Sequence, residues 1–133
     1  MRGLISVALA GLLGVNAIAS GPSSTIPSSQ ATAFIGTWKF AMTEPANSEE
    51  TIAISDKNGV LAASVQIGRF PANEVTGILK DGDVLLLTTT LRENGQPIWA
   101  VIALTLEGDT MSLAQMLQRS QTIKRGTAHK QTG

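Results

Sequence analysis

From Phe34 onward the chain alternates apolar and polar side chains in short runs, and most runs stop at a glycine-centred turn signal. FIGTWKFAMT opens at Phe34, ETIAIS at Glu50, VLAASVQI at Val60 and EVTGILK at Glu74. VLLLTTTL follows at Val84, PIWAVIALTLE at Pro97, TMSLAQMLQ at Thr110 and QTIKRGTAHK at Gln121. A period of two is the signature of a half-buried strand. The breaks fall at Asn58-Gly59, Asp81-Gly82, Asn94-Gly95 and Gly108, with a longer GRFPAN loop at Gly68. Asn-Gly and Asp-Gly pairs tolerate positive φ and favour tight hairpins.

Short hairpins join sequential antiparallel neighbours, because a parallel crossover needs a dozen or more residues. An open eight-stranded sheet would leave two raw edges and bury one face. Curling until the first strand meets the last removes both problems. The predicted fold is therefore all-β, an eight-stranded antiparallel up-and-down meander barrel over residues 34–130. Residues 111–118 also fit a short helix through Met111, Ala114, Gln115 and Gln118. Read with period two, Met111, Leu113, Gln115 and Leu117 share one face, and the preceding LEGD turn favours the strand.

The alternation assigns an interior. Trp38, Phe40 and Met42 share a face of the first strand, and Ile52 and Ile54 continue it on the second. Leu61, Ala63, Val65 and Ile67 follow, then Val75, Gly77 and Leu79. Further on come Ile98, Ala100, Ile102, Leu104 and Leu106. On the last strand Ile123 sets the parity and places Arg125 inward. Burying an arginine costs several kcal/mol, whereas stacking its guanidinium on an indole returns only about 0.5–2 kcal/mol. Arg125 is therefore expected at the barrel end, its head on Trp38. The other face of the sixth segment carries Trp99, Val101 and Ala103, an apolar outer patch of the kind that marks an interface.

The chain before Phe34 reads differently. Arg2, the uncharged run LISVALAGLLGV at Leu4–Val15 and the small residues AIA at Ala17–Ala19 form the pattern of a cleaved export signal over residues 1–19. Twelve apolar residues are too few to span a bilayer. An exported, periplasmic or secreted protein is the expectation, with no stable membrane anchor. Ser20–Ala33 is uncharged and rich in serine and proline, which predicts a flexible leader. Residues 131–133 are expected to be a disordered tail.

Gly36-x-Trp38 on the first strand, the hairpin meander and a basic residue, Arg125, late on the final strand resemble the calycin superfamily, which includes lipocalins and avidins. The resemblance spans about 95 residues from Phe34 to His129 and implies a ligand cup open at one end. It implies a structural role for Gly36, Trp38 and Arg125 at the closed end. The several tryptophans that line an avidin biotin pocket are missing, so biotin is not the expected ligand.

Charge and composition then narrow the function. Ten basic and ten acidic groups among 133 residues give no net field to attract nucleic acid. Without cysteine, thiolate chemistry and disulfides are excluded. The single histidine, His129, lies near the C-terminus and has no sequence partner for a triad or a metal site. Glu44, Glu49 and Glu50 read as carboxylates of a solvated first loop. No catalytic residue, metal or cofactor is expected, and an enzyme is the weakest reading. The favoured function is an exported binding barrel holding a small apolar or amphipathic ligand. Its candidate lining is Phe40, Met42, Ile54, Val65, Leu79, Thr88 and Ile102. The alternative is an exported protein-interaction module, such as a protease inhibitor using the leader. Trp99, Val101 and Ala103 are the candidate surface of a homo-oligomer.

Overall fold

The computed structural model describes residues 24–43, 48–93, 95–118 and 123–131. The expected signal segment lies outside the described residues, as do Ser20–Ser23 and the last two residues of the tail. Nine strands form one antiparallel sheet: β1 Gly36–Met42, β2 Ser48–Lys57, β3 Val60–Ile67, β4 Asn73–Glu74, β5 Gly77–Asp81, β6 Val84–Glu93, β7 Gln96–Glu107, β8 Thr110–Leu117 and β9 Ile123–Lys130. Their order is β4-β3-β2-β1-β9-β8-β7-β6-β5. The first and last strands are paired, Trp38 against Lys130 and Met42 against Gly126. Residues 110–117 are a strand, paired with both β7 and β9.

Turn chemistry sets the register locally. Asn58 (φ 55°) and Gly59 (φ 92°) are both left-handed, the pairing that a two-residue hairpin matching strand twist requires. The β2–β3 pairing then runs without slip from Lys57–Val60 to Glu50–Ile67.

The fourth predicted segment is two strands. β4 pairs with β3, and β5 pairs with β6. Between them the chain hands over from one edge to the other: the Val75 N–H donates to Ala63 O (2.9 Å) and the Thr76 N–H to Thr88 O (2.8 Å). Thr89 Oγ1 donates to Glu74 O at 2.9 Å. The handover shifts parity by one residue. Val75 stays inside, Ile78 is the next buried residue, and Leu79 is 68% exposed. The expectation that Leu79 faces inward is corrected for this reason. Thr88 is also on the outer face, its Oγ1 against Gly77, while Thr89 beside it is buried.

The core follows the predicted alternation on β1, β2, β3, β7 and β8. No surface of Phe40, Ile52, Leu61, Val65, Leu85, Leu87, Ile102, Leu104 or Met111 is open to a water-sized molecule. Full burial of such side chains stabilises the fold by about 1.5–3 kcal/mol each. The middle of the barrel is thus filled by side chains, as small eight-stranded barrels commonly are.

Ser24–Phe34, most of which was expected to be a free leader, lies against the β2–β3 hairpin. Pro27 bridges Val60, the Ser28 N–H donates to Gly59 O and the Leu61 N–H to Ile26 O, both at 2.9 Å. Two 3₁₀ turns, Ser28–Gln30 and Thr32–Phe34, then lead into β1 and bury Ser28, Ala31 and Phe34. Serine-rich composition signals missing apolar mass. Here Ile26, Ala31 and Phe34 suffice because the barrel supplies the rest of the core.

Candidate binding site

The two barrel ends differ. At the closed end Trp38 is 2% exposed and its Nε1 donates to Phe34 O at 2.8 Å. The cation over its ring is Lys130, whose Nζ is 5.6 Å from the centroid. Arg125 is exposed, and its expected place on Trp38 is corrected. Ile123, used to set parity, sits at the start of β9 on the outer face, 37% exposed. The inward residues of β9 are Gly126 and Ala128, and Lys124 and Lys130 share their parity. The Gly-x-Trp motif has a local explanation. Gly36 adopts φ +144°, and an added Cβ would lie 3.0 Å from Lys130 Cε, so the glycine makes room for the lysine stem that crosses to the indole.

At the other end a cavity of about 550 Å³ is lined by Ile67, Phe70, Pro71, Ala72, Asn73, Arg92 and Gly95. The GRFPAN loop forms one wall, with Phe70 largely exposed, and Arg92 and Gly95 form the other. Arg92 is held there by an Nη1–H bond to Gly95 O (3.1 Å). Of the expected lining residues, Phe40, Met42, Ile54, Val65 and Ile102 point inward, but they pack the filled interior rather than this cavity. Leu79 and Thr88 face outward.

Between mouth and core lies a polar pair. Glu50, expected in a solvated loop, is on β2 and only 4% exposed, because it shares the parity of Ile52 and Ile54. That alternation was visible in the sequence, but the acidic run TEPANSEE hid it. Gln115 on β8 is fully buried. Glu50 Oε1 and both polar atoms of Gln115 make no hydrogen bond. Leaving a buried polar atom unpaired typically costs about 1–3 kcal/mol. Burial raises the Glu50 carboxyl from 4.5 to about 6, against the opposing pull of the Lys124 ammonium and the nearby Gln115 carboxamide. The carboxamide is close enough to favour the anion without forming a well-aligned bond. Lys124 is directly opposite Gln115 in the β8–β9 register.

The outer face of the later strands is poor in charge. Val101 on β7, Met116 on β8 and Ile123 on β9 stand in one cross-strand row, with Trp99 beside them. Trp99 is 45% and Met116 52% exposed. The second row, Leu79–Leu86–Ala103–Ala114, is uncharged until it reaches the exposed Arg125 opposite Ala114 on β9. Trp99, Val101 and Ala103 thus share one outward band. Among the described residues no group of three or more histidine, aspartate or glutamate side chains is placed to hold a metal ion.

Neither the protein-family models nor the curated proteins yield a match. Among solved structures the chain is similar to apo Caenorhabditis elegans lipid binding protein 8, with a TM-score of 0.53 at 12% identity. The match covers 76% of this chain and 97% of that one. The fold is calycin-like. At this identity the likeness concerns the barrel alone, and no residue role is transferred by it.

Proposed function

We propose that the protein is an exported binding module that takes a small apolar or amphipathic molecule at the open end of its barrel. The observation that carries the reading is the cavity at the mouth. Its volume of about 550 Å³ is of the size that usually holds small molecules, about 300–1,000 Å³. Ile67, Phe70, Pro71 and Ala72 supply an apolar lining, with Asn73 and Arg92 as polar groups. The filled middle of the barrel moves the site outward from the interior residues expected to line it. The name of the lipid binding protein with the same type of fold supports a ligand of this class. Export rests on the Leu4–Val15 apolar run and the Ala17–Ala19 site.

Titration with Nile red, an uncharged lipophilic dye, tests the reading. Saturable binding that Phe70→Asp weakens by about tenfold or more supports it. Absence of saturable binding to the folded protein overturns it.

A second reading is interaction through the outer surface, favoured by the band of Trp99, Met116 and Ile123. A second copy of the chain is the partner proposed for it. The protease-inhibitor version loses ground, because Ser24–Ala33 already lies on the barrel and leaves only the residues before Ser24 as an arm.

A further inference from the structure

We infer that Glu50 and Gln115 form the recognition site for the polar head of the ligand, and that this head is uncharged and brings two hydrogen-bond donors and one acceptor. The inference rests on the mouth-cavity reading above and specifies the chemistry of its ligand.

The location comes first. Glu50 is the direct cross-strand partner of Ile67, and Ile67 lines the mouth cavity. The pair therefore lies one residue layer from the cavity. Gln115 acts on Glu50 from β8, three strands away in the order β2-β1-β9-β8. The row of Glu50 continues to Phe40 on β1 and Ala128 on β9, and the next inward residues toward the mouth are Met42 and the side-chain-free Gly126. Met42 packs its sulfur on Gly126, where an added Cβ would lie 2.6 Å from Sδ. An unbranched thioether with three rotatable bonds is the side chain that moves most easily from such a place. Met42 is therefore the side chain whose displacement the inference requires for a ligand head to reach the pair.

The head chemistry follows from the three unmet atoms. Glu50 Oε1 and Gln115 Oε1 are acceptors, and Gln115 Nε2 is a donor. A ligand carboxylate brings no donor and sets a second anion beside Glu50. A ligand ammonium brings donors but no acceptor for Nε2, and it meets the Lys124 ammonium, close enough to act on Glu50. A primary amide or a vicinal diol matches all three atoms without adding charge. Buried polar groups with an unmet partner discriminate strongly among ligands, because a poorly matched head leaves them unpaired.

The test compares probes of one chain length on the mature protein at pH 7.5, by calorimetry below their aggregation limits. The probes are 1-decanoylglycerol, decanamide, decanoate and decylamine. The expected result is that the diol and the amide bind at least about tenfold more tightly than the two ions, one well-made hydrogen bond's worth. Gln115→Met, close in shape and apolar, removes that preference while Nile red still binds. Equal affinity for all four probes, or preference for decanoate, overturns the inference and leaves the mouth cavity standing. Retention of the preference in a folded Gln115→Met protein also overturns it. Failure of every probe and of Nile red overturns both readings.

Discussion

Lys130 and Trp38 face each other across the β1–β9 pairing, the ammonium 5.6 Å from the indole centroid. The pair joins the first strand to the last at the closed end. Its stem passes over Gly36, and the indole N–H is bound to Phe34 O beneath. Cation–π pairing at an exposed site contributes about 0.5–1 kcal/mol, so the charge and the stem can be separated. Lys130→Met keeps the stem and loses about that amount in urea unfolding, and Lys130→Ala loses more. Gly36→Ala loses more again, because its positive φ strains any side chain and its Cβ displaces the lysine stem. Equal stability of Lys130→Met and Lys130→Ala would show that the stem carries nothing.

Gly126 gives a sharper steric prediction. A Cβ there meets Met42 Sδ at 2.6 Å and Ala41 O at 3.0 Å. Gly126→Ala is expected to destabilise by about 1–3 kcal/mol through overpacking. Met42→Ala removes the first contact but not the second. The double variant should recover part of the loss, giving a coupling of about 0.5–3 kcal/mol in a double-mutant cycle. Simple additivity would mean that the methionine sulfur does not fill the glycine gap.

Truncation tests the packed leader. A chain beginning at Phe34 loses the Pro27–Val60 bridge, the Ser24 Oγ bond to Leu61 O (2.9 Å) and the Ser28 Oγ bond to Asp56 Oδ1 (2.5 Å). It also uncovers the core around Ala31. With net hydrogen bonds near 1 kcal/mol each, a loss of about 2–3 kcal/mol is expected in denaturant unfolding. An unchanged midpoint would make Ser24–Ala33 a passive tether.

Stability should fall as pH rises between about 4.5 and 6, because of Glu50. Its carboxyl is raised from 4.5 to about 6 in the fold by burial, so the folded protein holds this proton more tightly than the unfolded chain. Below about 4.5 both states are protonated and the fold has its full benefit. Above 4.5 the unfolded chain ionises first, and the benefit is gone once pH passes about 6. A shift of this size corresponds to about 2 kcal/mol. Lys124 and Gln115, the groups facing it from β9 and β8, temper the shift without cancelling it. Urea midpoints from pH 4 to 8 check the slope, and Glu50→Gln should flatten it. An equal slope in both proteins would assign it to other groups.

Particular residues show what the sequence could disclose about fold and site. The meander, the pairing of first and last strands and the inward faces of β1, β2, β3, β7 and β8 were legible, because uninterrupted alternation fixes parity and Asn58-Gly59 fixes register. Parity failed where the chain leaves one strand partner for another. Leu79 turned outward after the handover at Val75–Gly77, which depends on hydrogen bonds to Ala63 and Thr88 that no local signal announces. On β9 an apolar Ile123 on the outer face misdirected the count, hiding Lys124 and exchanging Arg125 for Lys130. The Glu50–Gln115 pair is half visible: period two puts Gln115 on one face with Met111, Leu113 and Leu117, but its neighbour three strands away is a matter of barrel closure. The mouth cavity depends on where the GRFPAN loop lies, which alternation does not encode.

The two tryptophans allow the outer band to be tested by light. Trp38 is buried and Trp99 is 45% exposed, so Trp99→Phe leaves an emission that acrylamide barely quenches. Trp38→Phe leaves Trp99 alone, strongly quenched in dilute solution. An interface through Trp99, Val101, Met116 and Ile123 would shield the indole as protein concentration rises, and sedimentation would show the dimer over the same range. Such an exposed apolar surface is a common mark of association. Met116→Lys puts a charge in the middle of the band and should abolish both the shielding and the faster-sedimenting species. Quenching independent of concentration, with monomer throughout, would remove the second copy as the partner of this face.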